Sequence, residues 1–169
     1  MNESIDRIPL GTSGGRTAEA IFDRYGDMVY RLAFVRTKSR YDADDILQDV
    51  FVRYLRYAPV FEDEEHCKAW LIRTTINRTN SLLSSAWFRR TTPLDDALRT
   101  EMQEKSDVYY AVLKLSPKYR TVIHLYYYED YSTAEIAQIL SQKESTVRSQ
   151  LHRARAVLRE ELKGVYNDV

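Results

Sequence analysis

The sequence predicts an all-α protein built from two small helical domains joined by a flexible linker. Three observations carry that expectation. Apolar residues recur at spacings of three and four through most of the 169 residues, and nothing alternates convincingly at period two. Five glycines and four prolines are too few for a chain of many tight β-turns. Helix-start signals precede the periodic runs, and a weakly patterned stretch over 84–106 separates two groups of them.

Taken in order, residues 1–17 hold Pro9, Gly11, Ser13, Gly14 and Gly15 with little periodicity and read as a flexible leader. Residues 18–90 form the first domain. Ile21, Phe22, Tyr25, Met28, Val29 and Leu32 predict an amphipathic helix from Ala18 to about Arg36. In the second helix Asp42 is the expected N-cap, acids fill the first turn where the helix dipole favours them, and Ile46, Leu47, Val50, Tyr54 and Leu55 make the apolar stripe. Pro59 ends it. A third helix is expected from Glu64 or Glu65 to about Ser84. Its apolar residues Trp70, Leu71, Ile72, Ile76, Leu82 and Leu83 spread round more than one face, which calls for packing partners on two sides.

The linker is placed at 91–106, and the second domain at 107–169. Val108, Val112 and Leu115 open it. Ser116 then precedes Pro117 as N-cap and first helical residue, and the helix is expected to run to about Glu129 with Val122, Ile123 and Tyr126 inward. Ser132-Thr133-Ala134-Glu135 has capping-box spacing, in which hydroxyl and carboxylate each satisfy an orphan N–H. After the turn Ser141-Gln142-Lys143, a last helix carries one stripe at Val147, Leu151, Ala154, Leu158 and Leu162.

Composition excludes several classes. No apolar run approaches the roughly 20 residues that cross a bilayer, and the first residues lack a basic start and an apolar core, so a cytoplasmic protein is expected. Cys67 is the one cysteine, which allows no internal disulfide and no cysteine-based zinc site. No glycine-rich phosphate loop is present. Neither a cofactor nor a small-molecule substrate is expected.

Twenty-five basic and 25 acidic residues leave a formal net charge of zero, which by itself weighs against a polyanionic partner. The charges are segregated, however. Residues 66–94 carry five basic side chains and no acidic one, and Lys143 to Arg159 carry five against Glu144 alone. Two helices joined by a three-residue turn, the second longer and basic, match a helix-turn-helix. With Val147, Leu151 and Ala154 facing the first helix, Thr146, Arg148, Ser149, His152 and Arg153 fall on the opposite side, and these types reach base edges and phosphates. The other basic stretch combines Trp70 and Trp87-Phe88 with amides and hydroxyls, a composition suited to stacking unpaired bases.

At this level the chain resembles the sigma-70 family of bacterial RNA polymerase sigma factors, in its small extracytoplasmic-function (ECF) type. Residues 41–53, Tyr-Asp-Ala-Asp-Asp-Ile-Leu-Gln-Asp-Val-Phe-Val-Arg, resemble the polymerase-binding signature of region 2. The resemblance implies that Asp42, Asp45, Ile46, Gln48, Asp49 and Phe51 dock on the clamp helices of the β′ subunit. Residues 69–77 resemble the part of region 2 that captures and melts the promoter −10 element, which assigns Trp70, Arg73, Asn77 and Arg78 to the melted strand. Residues 115–120 and 131–155 resemble region 4, which reads the −35 duplex and contacts the β flap. That puts Lys118 and Arg120 on phosphates and Thr146, Arg148, Ser149, His152 and Arg153 on the −35 element. Ser141 stands where the family often has Gly, so a positive φ would be less favourable here. The implied partners are polymerase core, promoter DNA and an anti-sigma factor, often membrane-anchored in the family, which would hold the protein at the inner membrane face. Two other classes compete. A helix-turn-helix regulator working without polymerase leaves the acidic and aromatic helices without a role. A metal enzyme using Asp42, Asp45 and Asp49 has no His or Cys placed to join them.

Overall fold

The computed structural model describes residues 17–57, 59–85 and 107–166, and among these it is helical with no strand. Helices α1 (Ala18–Thr37), α2 (Arg40–Tyr57) and α3 (Glu64–Leu83) form the first module. Thr17 starts α1 by accepting the Ala20 N–H at 3.2 Å. Lys38 stops it in the left-handed region, its N–H donating to Phe34 O at 2.7 Å. The connection to α2 is so short that Ser39, rather than Asp42, is the cap: its Oγ accepts the Asp42 N–H at 3.2 Å, and Asp42 lies in the first turn, still well placed for the helix dipole. Asp63 caps α3 through the His66 N–H at 2.7 Å.

The second module holds α4 (Asp107–Lys114), α5 (Pro117–Ile123), a π-helical turn (His124–Tyr128), α6 (Thr133–Leu140) and α7 (Glu144–Tyr166). The helix expected to reach Glu129 thus changes its ladder at His124, with Glu129 N–H donating to His124 O. A π turn inserts a residue and re-aims those after it. Here it brings Glu129 back beside the buried His124. The capping box forms as expected, with Ser132 Oγ accepting from Glu135 N–H at 3.2 Å and Glu135 Oε2 from Ser132 N–H at 2.8 Å. Ser141 takes φ 53° and ψ 45°, the positive φ that glycine adopts more readily.

Val147, Leu151 and Ala154 are buried in the core where α7 meets α5 and α6, and their stripe fixes the rotation of α7. The third helix has its two-sided packing: α3 lies on α1 and α2 and also meets α6. Helix α1 likewise packs on α5, so the buried apolar side chains of both modules form one connected core. The leader through residue 16, Trp87 to Arg90 and the linker 91–106 lie outside the described residues.

Candidate polymerase and nucleic-acid interfaces

The acidic half of α2 and the C-terminal half of α3 enclose a groove of about 520 Å³ lined by Asp42, Asp45, Gln48, Asp49, Val52 and Arg78. Asp45 and Gln48 stand out in solvent. Asp49 is held from both sides, by Arg53 at 3.3 Å one turn on and by Arg78 across from α3. Ile46 and Phe51, expected at this surface, are buried instead, and Phe51 packs edge-on against the Phe22 ring at 4.8 Å. They set the helix from beneath. The exposed apolar side chains of α2 include Val52 and Leu55, and Phe22 of α1 is exposed as well. Spacing puts Leu55 and Phe22 on the apolar stripes of their helices, and the structure turns both to the surface. Among the described residues no three His, Cys, Asp or Glu side chains are placed to hold a metal ion.

On α3, Trp70 is half-buried in an aromatic cluster, edge-on to Tyr54 at 6.1 Å and Phe61 at 6.0 Å. Arg73 and Asn77 are exposed one and two turns further along. They line a cleft of about 520 Å³ whose other wall is the second module, including Lys118, Ser141, Gln142 and Gln150. Arg73 Nε donates to Ile139 O at 3.4 Å, at the end of α6. Arg78 points the other way, into the acidic groove. The four residues expected to act together on one strand are therefore shared between three surroundings.

The exposed face of α7 is coherent. Thr146, Ser149 and Arg153 join Lys118, Ser145 and Gln150 around a shallow basic pocket of about 310 Å³. Arg148 and His152 flank it in solvent, Arg148 resting on Glu144 at 2.7 Å. Thr133 also donates to that Glu144 oxygen, and the two hydrogen bonds hold its carboxyl below the usual carboxylate range. Arg155 Nε donates to Tyr127 Oη at 2.8 Å, so this cation is steered away from the pocket.

Sequence profiles of known families fall on these two modules. That of Sigma-70 region 2 matches residues 21–89, and that of Sigma-70 region 4 matches residues 105–158. The ECF RNA polymerase sigma factor SigM of Mycobacterium tuberculosis (strain ATCC 35801 / TMC 107 / Erdman) is 33% identical over 161 residues, covering 92% of this chain and 82% of the relative. The chain belongs to the ECF sigma-70 family. SigW of Bacillus subtilis is 28% identical over 93% of this chain and 95% of its own length. The solved structure of CnrH with the cytosolic domain of CnrY superimposes with a TM-score of 0.69 at 26% identity, over 92% of this chain and 93% of that one. This chain is accordingly an RNA polymerase sigma factor, with region 2 in α1–α3 and the helix-turn-helix of region 4 in α6 and α7.

Within this sigma factor the assignment of Arg120, like those of Ile46 and Phe51, needs correcting. Arg120, expected on a phosphate, is 3% exposed, and its guanidinium donates to the carbonyls of Leu113, Leu115 and Arg36. Its last acceptor belongs to α1. Arg36, 5% exposed, reaches back across the same seam to Thr79 and Asn80 of α3 and to Thr121 of α5. Lys68 of α3 meets Glu129 at 3.1 Å and lies over the Tyr131 ring at 5.0 Å. Phe34 packs against Leu113 of α4, on which Tyr109 and Tyr110 also pack. These residues join the modules, and sequence reasoning missed them. For Arg36 a signal existed: it stands four residues past Leu32 on the buried stripe of α1, where an apolar residue belongs.

Proposed function

We propose that the exposed edge of α2, with Asp45, Gln48 and Asp49 beside Val52 and Leu55, docks on the clamp helices of the polymerase β′ subunit. Region 4 reads the −35 duplex through Arg148, Ser149, His152 and Arg153, with Thr146 and Lys118 alongside. Trp70, Arg73 and Asn77 receive the unpaired −10 strand, whose stacking and pairing in pockets offset the few kcal/mol of lost base stacking without nucleotide hydrolysis. The protein is then a dissociable initiation factor rather than an enzyme, working on polymerase core and promoter DNA. The supporting observation is the opposite character of two rigid faces: an acidic, apolar-edged groove on α2 and a basic, hydroxyl-rich face on α7. An anti-sigma protein with a cytosolic domain is a further proposed partner, since CnrH is held by such a domain of CnrY. No helix among the described residues is long and apolar enough to cross a membrane, so membrane placement would come from that partner.

Run-off transcription with purified core over a promoter library tests this reading. The wild-type chain should direct initiation from a defined promoter class. Asp45→Lys, at an exposed position, should abolish core pull-down and initiation while leaving thermal stability unchanged. A regulator that works without polymerase would never restore promoter-specific initiation.

A further inference from the structure

The acidic groove has a second wall, and the docking proposed above draws on its α2 wall alone. Arg78, Ser81 and Leu82 stand about one turn apart on α3 and line the groove together with Asp42, Asp45, Gln48 and Asp49 of α2. Among the described residues Arg78 is the one cation in that lining. Its Nε lies against Asp49 Oδ2, shielded from water and without an aligned hydrogen bond, so the contact is an ion pair. Arg53 supplies the directed bond, its Nε donating to the same Oδ2 at 3.3 Å from one turn along α2. No bond from the described residues reaches Oδ1 of that carboxylate. Two cations on one oxygen hold the side chain and leave the other oxygen to a partner. With side chains 38% and 34% exposed, the Arg78–Asp49 pair contributes little to folding, so its use is to be sought in binding.

We propose that Arg78 is a positioning residue of the polymerase interface: it holds Asp49 so that Oδ1 accepts from a basic side chain of the clamp helices, and it brings the C-terminal half of α3 into the docking surface. The inference rests on the docking of α2 proposed above. A carboxylate that must be ordered as the partner arrives costs affinity, and one already held on its own helix and on its neighbour does not. The resemblance in sequence assigns Arg78 to the −10 strand together with Arg73. In the structure the two arginines part company, Arg73 reaching Ile139 O and Arg78 reaching Asp49. Helix α3 then serves promoter DNA through Arg73 and Asn77 and polymerase through Arg78, Ser81 and Leu82.

Arg78→Gln separates this role from its rivals. Removing a cation from an acidic groove makes the groove more acidic, so a plain charge effect tightens docking on a basic surface. Positioning predicts the reverse. The test titrates the labelled full chain with purified polymerase core at fixed salt, and in parallel measures its binding to a fluorescein-labelled random 20-nucleotide single-stranded pool. Arg78→Gln should weaken core binding about fivefold, leave pool binding unchanged and melt with the wild type. In an Asp49→Asn background the same substitution should cost nothing further, because Arg78 acts through that carboxylate. Arg78→Lys, which keeps a cation beside Asp49, should recover most of the loss. Tighter core binding by Arg78→Gln would reduce Arg78 to a screening charge and overturn the proposal. So would an equal loss in the Asp49→Asn background, which would mark an effect that bypasses Asp49. Weaker pool binding with core binding intact would return Arg78 to the −10 strand. Retention of core binding by Asp45→Lys would instead sink the docking of α2 itself, whatever Arg78 does.

Discussion

Arg120 and Arg36 lie almost out of reach of water, side by side, and each remains a cation. Burial draws both guanidinium groups down to about 10, and for Arg120 the neighbouring charge of Arg36 adds to the effect, yet at neutral pH both stay protonated. What offsets two desolvated like charges is a set of oxygen acceptors, three backbone carbonyls for the terminal nitrogens of Arg120, whose Nε stays without a partner, and Thr79, Asn80 and Thr121 for Arg36. Arg120→Met should therefore cost about 3 kcal/mol of stability in urea unfolding, through orphaned carbonyls. Arg148→Ala, at a solvent position, should stay within about 0.5 kcal/mol of wild type and flatten the salt dependence of duplex binding instead. An Arg120 variant that kept its stability but lost salt-dependent DNA binding would return the residue to the phosphate backbone. The sequence could not make this distinction. Residues 120–125 are all buried, so the end of α5 and the start of the π turn offer no alternation of wet and dry positions by which periodicity could tell a core arginine from a DNA-facing one.

The elements that the sequence resolves are those whose signals are local. The capping box at Ser132 and Glu135 is written in four consecutive residues, and the hydrogen bonds from Ser132 keep the Glu135 carboxyl below the usual range. The stripe of α7 is likewise read off spacing, and its rotation turns the face proposed for the −35 element outward. The π turn is not legible, because His124 to Tyr128 contains no Gly, Pro or polar break. Its effect appears only in three dimensions, where Glu129 reaches both His124 and Lys68. Two substitutions test the helix-turn-helix as an element. Ser132→Ala should destabilise region 4 by about 1 kcal/mol through loss of the cap. Ser141→Gly should stabilise it by about 1 kcal/mol, since a residue with a Cβ at φ 53° is strained and glycine is not. Thermal melts of the two variants should move in opposite directions, and a Ser141→Gly variant that melts lower would show that the turn is not strained.

At the scale of the whole molecule, zero net charge is the sum of unlike surfaces, and one seam joins the bodies that carry them. Because the core runs through that seam, free wild-type protein should unfold as one cooperative unit. Tryptophan emission follows region 2, where Trp70 lies within α3, while helical ellipticity follows both regions. The two signals should coincide in urea for the wild type and separate for Lys68→Glu. Acidity should do the same as the substitution. Burial raises the Glu129 pKa, but hydrogen bonds from His124 and Lys68 outweigh it and hold the carboxyl below its ordinary value. A carboxyl depressed on folding stabilises the structure above its unfolded pKa of about 4.3, and that contribution is lost as pH falls through the folded value. The seam should thus weaken only below about pH 4.3, and Glu129→Gln should lose less coupling across that window than the wild type does. Coincident transitions in every variant and at every pH would mean that the apolar contacts of Phe34 and the Arg36–Arg120 pair hold the modules together without help from Glu129.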